Sequence, residues 1–320
     1  MRDSLVSADP RCAEIIKPYL GGQDLKHWSI ARSDLWMIAL KSSVDYSWPW
    51  SDSGEQAEAM FEQSFPSLHT HMKKLEEALI KRQDQGRYWW ELRSCAYWQE
   101  FEENKIVWPD ISKLPRFSMD TERHYLGNTG YAIPNGDYYL LGILSSWATW
   151  FMISKIAQPL RLRGDRWQYR LFPQYMERLP IPDATDDEKE TIGALAKLCN
   201  TLGQERYDLQ HQFSLRLTGA FRQTGKGSAL SLNTKAQSWW ELSLSELGEA
   251  LKVSFKLQAN PFRHPRTADE WEPYLAEKRE EFERLTRELS DAEAELNDRV
   301  YRLFELTVDE IALLQREVEH

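Results

Sequence analysis

Apolar residues recur every seven positions in two stretches of the second half of the chain. Leu195, Leu202 and Leu209 form one series, with Ile192, Cys199 and Phe213 on neighbouring rows. Leu275, Phe282, Leu289, Leu296 and Leu303 form the other. A sustained seven-residue period favours helices that wrap each other. Two such runs in one chain predict an antiparallel helical hairpin with coiled-coil-like packing. Thr185 and Glu188 make a capping box that opens the first helix, and Thr307 with Glu310 opens a last short one. Between the long runs, Gly225 to Thr234 reads as a loop.

The first half follows a different pattern. "NKIVWPDI" mixes β-branched and aromatic residues and predicts a short strand ended by Pro109. "GYAIP" predicts a second strand, and Asn135-Gly136 a turn after it. Asp137 suits the N-cap of the apolar helix expected over Tyr138 to Ile153. That run is short for a membrane span and carries serines, a threonine and a glycine, so a buried helix is expected. An earlier helix is expected within "HTHMKKLEEALIKRQDQG", with Leu68, Met72, Leu75 and Leu79 on one stripe. The two prolines of "LPIPDATDDE" block regular structure and mark a boundary. The expected class is α+β. A mixed α/β region spans 1–182, and a mostly helical region spans 183–320.

Charge sharpens this division. The net charge is −10, but residues 1–182 hold 22 Lys and Arg against 23 acids, and residues 183–320 hold 18 against 27. The acidity belongs to the helical half. Between Lys155 and Arg178 the balance reverses, with six basic residues and two acids. Three scattered cysteines, Cys12, Cys95 and Cys199, give neither a disulfide framework nor zinc spacing. A reducing, cytoplasmic setting is expected. The N-terminal stretch lacks the apolar segment of a signal peptide.

Candidate chemistry is sparse. His69 and His71 stand two apart, which a helix does not place on one face. "YLGGQD" lacks phosphate-loop spacing, and the chain has no Gly-x-Ser-x-Gly elbow. "PDISK" matches a nuclease carboxylate pattern only as chance would. The tryptophans of "GRYWWELRSCAYWQEFEENKIVWPDIS" read mainly as core. The segment "SKIAQPLRLRGDRWQYRLFPQYMERLPIP" is different, because arginines alternate with Leu, Trp, Tyr and Gln around a Gly-Asp turn. Arginine forks bond phosphates or guanine edges, and glutamine pairs with adenine. The competing reading is a hairpin whose arginines make surface ion pairs.

Six segments in order carry a resemblance. They are "IIKPYLGGQDLKHW", "GRYWWELRSCAYWQEFEENKIVWPDIS", "NTGYAI", "YYLLGILSSWATWFMI", "ERLPIP" and "DRVYRLFELTVDEI". Together they resemble the TaqI-like C-terminal specificity domain of adenine-N6 DNA methyltransferases and combined restriction-modification enzymes. In that family an N-terminal domain binds S-adenosylmethionine and methylates adenine, and the C-terminal part recognises the target. The resemblance therefore implies double-stranded DNA as partner, together with a methyltransferase domain or subunit. The Asn-Pro-Pro-Tyr motif and the glycine-rich cofactor motif are absent here, "ANPF" at Ala259 to Phe262 lacks the second proline, and Gln23 replaces the arginine of the family's "GRD". The expectation is a specificity region separated from its catalytic core. No cofactor is expected on this chain, S-adenosylmethionine belonging to the methyltransferase domain, and no metal, membrane or catalytic residue is expected.

The expected DNA contacts are Arg161, Arg163, Arg166, Gln168 and Arg170, with Lys155 on phosphate and Arg93 and Lys105 as secondary candidates. Two other classes stand beside this one. The helical half could serve as an interaction module that docks a methyltransferase or another partner, with little DNA binding. Alternatively the chain could itself be an enzyme, which would need a cofactor site that the sequence does not display.

Overall fold

The computed structural model describes residues 1–222 and 230–319. Helices α1 (Arg2–Ala8) and α2 (Cys12–Ile15) lead into strand β1 (Ile16–Leu20), followed by β2 (Trp36–Ile38). Helices α3 (Ala57–Ser64), α4 (Pro66–Lys73) and α5 (Glu76–Ile80) come next. A run of short strands follows: β3 (Lys105–Pro109), β4 (Ile111–Ser112), β5 (Ser118–Asp120), β6 (Tyr125–Leu126) and β7 (Gly130–Pro134). Helices α6 (Tyr138–Ser145) and α7 (Trp147–Ile156) separate these from β8 (Gln158–Arg163) and β9 (Arg166–Arg170). The remainder is helical: α8 (Pro173–Met176), α9 (Asp186–Phe221), α10 (Thr234–Gln237), α11 (Leu244–Phe255), α12 (Pro265–Leu303) and α13 (Val308–Glu319). The class is mixed α and β, as the sequence predicts. Of the loop expected from Gly225 to Thr234, residues 225–229 lie outside the described residues.

The strands form three small sheets, in the orders β2-β1-β6, β5-β3-β7 and β4-β9-β8. β3 is buried along its length and central in its sheet, as its β-branched and aromatic sequence demands. β7 pairs with it from Lys105↔Pro134 to Pro109↔Gly130. Asp137 caps α6 by accepting from the Leu140 N–H at 2.7 Å.

Two expected helices are broken. The apolar run divides at Ser146, whose extended backbone (φ −69°, ψ 153°) ends α6 and caps α7 through the Thr149 N–H. The reason is tertiary: Asn297 on α12 accepts from the Trp147 N–H at 2.8 Å, so the first turn of α7 is held from outside. Ser146→Ala is expected to cost about 1 kcal/mol, the usual worth of an N-cap, read as a lowered urea midpoint. The earlier helix splits into α4 and α5. Leu68 and Met72 are buried, but Leu75 is exposed at the break, which lets Leu79 turn back onto the aromatic core.

That first core belongs to residues 5–90. Tyr88, Trp90 and Phe61 stack in series, and Trp50 meets both Phe61 and Trp90. Beneath them lies Glu91, fully buried. One carboxylate oxygen accepts from Trp50 Nε1 at 2.9 Å. The other accepts from the Ser43 and Arg87 N–H groups at 3.0 and 2.9 Å. Burying a charge is tolerable when its lone pairs are satisfied in this way.

The main core is continuous from Trp28 to Leu314 and draws on both sides of residue 182. The α9 and α12 helices run antiparallel. Ile192, Ala196 and Leu296 crowd Gly142 at one end, and Phe213 meets Trp271 and Tyr274 at the other. Both capping boxes form, at Thr185/Glu188 and Thr307/Glu310. One face of α9 grips the β part. Asn200 accepts from the Met119 N–H, Gln204 bonds both main-chain groups of Ile30, and Asp208 takes Arg32 in two bonds at 2.7 and 2.9 Å. These residues are four apart, so helical geometry aligns them. Between them Gly203 admits Trp28, whose main-chain oxygen would stand 2.6 Å from any added Cβ.

Candidate nucleic-acid interface

β8 and β9 form a hairpin that carries most of the sequence-selected residues. Arg163 pairs with Arg166 across the turn, Leu162 with Trp167, and Arg161 with Gln168. Gly164 sits in the turn with φ +63°, which glycine adopts without strain. A register shift between Pro159 and Arg161 absorbs one extra residue before pairing resumes.

Cross-strand partners share a face, and alternate residues share a face. Arg161, Arg163, Arg166, Gln168 and Arg170 therefore lie together. The contact from Arg161 Nε to Gln168 Oε1, 2.8 Å, shows the common side directly. The opposite face carries Leu162, Trp167 and Tyr169. Tyr169 meets the edge of Trp150 on α7, while Leu162 and Trp167 are about half exposed at 57% and 48%.

The arginines differ in their surroundings. Arg161, Arg163 and Arg166 make no ion pair among the described residues; Arg170 approaches Asp110 Oδ2 at 3.4 Å and lies over the Phe172 ring. Lys113 Nζ donates to the Arg163 carbonyl at 2.9 Å and braces the hairpin tip. Every residue of β8 is exposed, and its outer edge pairs with no strand among the described residues. Pro159, the bulge and the arginines guard that edge against adventitious strand pairing.

The other candidates lie elsewhere. Lys155, in the last turn of α7, pairs with Glu317 of α13 at 2.7 Å. Its ammonium, hydrogen-bonded to Glu317, holds that carboxyl below its ordinary range. Glu317 lines a small cavity with Trp150, Arg166, Trp167 and Tyr169, so Lys155 and Glu317 stand on the Trp167 side of the hairpin, which Arg166 at the turn also reaches. Arg93 is exposed, 4.0 Å from Asp84, and lines an open cleft of about 990 Å³. The cleft is lined by Tyr97, Phe101, Tyr131, Met176 and Leu179 among others. The hairpin and Arg93 are thus separate features.

Lys105 is a correction. It is fully buried on β3, and its Nζ lies 2.8 Å from Asp120 Oδ2 and donates to the Phe101 carbonyl. A side chain shut away from solvent and paired inside cannot meet DNA in this structure. Asp120 also accepts from His124 Nδ1 at 2.9 Å. Burial pushes the Asp120 carboxyl up, but the His124 hydrogen bond and the Lys105 charge outweigh it and leave it below the ordinary value.

Two residues of the hairpin base escape sequence reasoning, Asp110 and Phe172. "WPDIS" shows an aspartate after a strand, but nothing in the sequence joins it to Arg170 sixty positions later. Among the described residues no group of three or more His, Cys, Asp or Glu side chains is placed to hold a metal ion. Among them, too, no helix is long and apolar enough to cross a membrane.

No curated protein matches the chain. Among solved structures, a Type IIL restriction-modification enzyme, MmeI, in complex with DNA is similar, with a TM-score of 0.49 and 13% identity over 99% of this chain. The match covers 32% of the enzyme, so this chain spans about a third of that protein's length. The family described as "Domain of unknown function (DUF8810)" matches residues 185–300, which take in α9 to α11 and most of α12.

Proposed function

We propose that this chain is the sequence-specific DNA-recognition part of an adenine-N6 DNA methylation or restriction-modification system, without catalysis of its own. Residues 1–182 carry the recognition surface, and residues 183–320 form a helical spacer that supports it and meets other protein. A methyltransferase domain or subunit supplies S-adenosylmethionine and the methyl transfer. One observation carries this reading: five side chains suited to phosphate and base edges, Arg161, Arg163, Arg166, Gln168 and Arg170, share one face of a hairpin whose outer strand is exposed and whose inner strand is half-buried. A two-stranded β-ribbon fits the major groove, where each base pair has its own donor and acceptor pattern. The family resemblance in the sequence agrees with it.

The test is duplex binding by the full chain across salt concentration. Affinity is expected to fall steeply with salt, with a slope of roughly −0.9 for each phosphate engaged. Binding that ignores salt, or no binding at low salt, sinks the proposal.

The apolar cleft beside Arg93 favours a second reading, in which the chain docks a methyltransferase or other partner and binds little DNA itself. Copurification with a methyltransferase by a chain that has no DNA affinity at low salt would support it.

A further inference from the structure

We propose that Arg170 reads a guanine, that Asp110 is the positioning residue that holds it for the purpose, and that Arg161, Arg163 and Arg166 meet the sugar-phosphate backbone. This inference rests on the DNA-recognition reading above. It assigns separate tasks to side chains that look alike in the sequence.

Their supports differ. Arg170 stands on β9, the central strand, with Gln158 of β8 paired on one side and Ile111 of β4 on the other. Its guanidinium carbon lies 5.2 Å from the centre of the Phe172 ring, and its Nη1 lies 3.4 Å from Asp110 Oδ2. One third of the side chain remains exposed, 34%. Asp110 is itself fixed by its main chain. Its N–H donates to the Thr129 carbonyl at 2.9 Å, and its carbonyl accepts from the Leu171 N–H at 2.7 Å. Asp110 Oδ1 is buried, so the carboxylate addresses Arg170 through Oδ2. By contrast, Arg163 and Arg166 flank the turn, beyond the third strand, and Arg161 hydrogen-bonds the neutral amide of Gln168 and makes no ion pair among the described residues.

The chemistry separates along the same line. A guanidinium has five N–H donors in a rigid fork. With Nη1 turned to Asp110, Arg170 keeps an edge free to bond guanine O6 and N7 together, the commonest specific arginine contact. Asp110 offsets the positive charge and repels a phosphate, so the pair suits an uncharged base edge. A group that discriminates must also be held before the ligand arrives, or the cost of ordering it erodes the discrimination. Arginines near the tip that make no ion pair among the described residues suit the opposite task, attraction to the phosphate chain irrespective of sequence.

Selection from a randomised duplex pool tests this, using the full chain and its Arg170→Lys, Arg170→Ala, Asp110→Asn and Arg163→Ala variants. Each variant is first checked for an unchanged circular-dichroism spectrum and melting temperature. Arg170→Lys keeps the charge and loses the fork. It is expected to lose guanine preference at one position by roughly tenfold or more, with the salt slope unchanged. Asp110→Asn is expected to erode that same position and no other. Arg163→Ala is expected to weaken all sequences alike and to lower the salt slope by about 1. The inference is overturned if Arg170→Lys retains the guanine preference, or if the wild-type chain binds without any sequence preference. A wild-type chain that binds no duplex at low salt removes the DNA reading itself, which is a different result.

Discussion

Asp120→Ala is expected to destabilise the protein by about 3–5 kcal/mol, the usual cost of removing one partner from a buried ion pair. Lys105 and Asp120 are both closed to solvent, with side chains 1% and 0% exposed. The Asp120 carboxylate also accepts from the His124 ring and from the Glu122 and His124 N–H groups. Removing it strands a buried ammonium at one end of the β5-β3-β7 sheet. The double replacement Lys105→Met with Asp120→Leu is expected to recover only the part of the loss owed to the stranded ammonium, because the Glu122 and His124 N–H groups still lose their acceptor. Urea midpoints of the three proteins check this. A single-variant loss below about 1 kcal/mol would show that water reaches the pair. The pH dependence has a definite sign. The folded-state value of Asp120 lies below its ordinary one, so its contribution is complete above about pH 4, the unfolded carboxylate range, and is lost as pH falls through the folded value.

Trp28→Ala is the second large effect, again about 3–5 kcal/mol, the usual range for deleting a buried aromatic ring. Trp28 is 1% exposed and lies in the main core. Its Nε1 donates to Glu293 of α12 at 2.6 Å, and its backbone rests against Gly203 of α9. Deleting the ring opens a cavity where the two long helices meet the β part, and also leaves half-buried Glu293 with one donor fewer. The backbone at Trp28 is left-handed, φ 60°, a conformation most side chains disfavour. The ring's packing must therefore outweigh local strain. Denaturant titration followed by tryptophan fluorescence at the remaining thirteen sites, one fewer than the fourteen of the chain, reads the change. An unchanged midpoint would mean that the joint is held by its polar contacts alone.

Local chemistry was legible in the sequence. β3, β7, the Asp137 cap and both capping boxes depend on residues within a few positions of one another, and they formed as expected. The alternation of "RLRGDRWQYR" likewise set which side chains share a face of the hairpin, because a strand has a period of two. What the sequence concealed depends on distant partners. Ser146 breaks an apolar helix with the help of Asn297, which holds the Trp147 N–H from 150 positions away. Lys105 looks like a surface cation until Asp120 is brought across the sheet. Leu75 belongs to a helical stripe by spacing, yet the stripe bends to return Leu79 to the aromatic core. At the candidate interface the placing of the five proposed residues on one hairpin was legible, whereas the approach of Asp110 to Arg170 was not.

The outer strand of the hairpin, β8, lies outside the cores, while β9 packs on the main core through Tyr169. Every residue of β8 is exposed, and exposed positions away from caps and buried networks change stability by only about half a kcal/mol when substituted. The tip can therefore drift through many side-chain combinations, and even through small length changes at its bulge, while the scaffold stays folded. Such a division between an inert frame and an exchangeable surface lets new preferences arise by few mutations. It makes this hairpin the natural place to graft a different contact set.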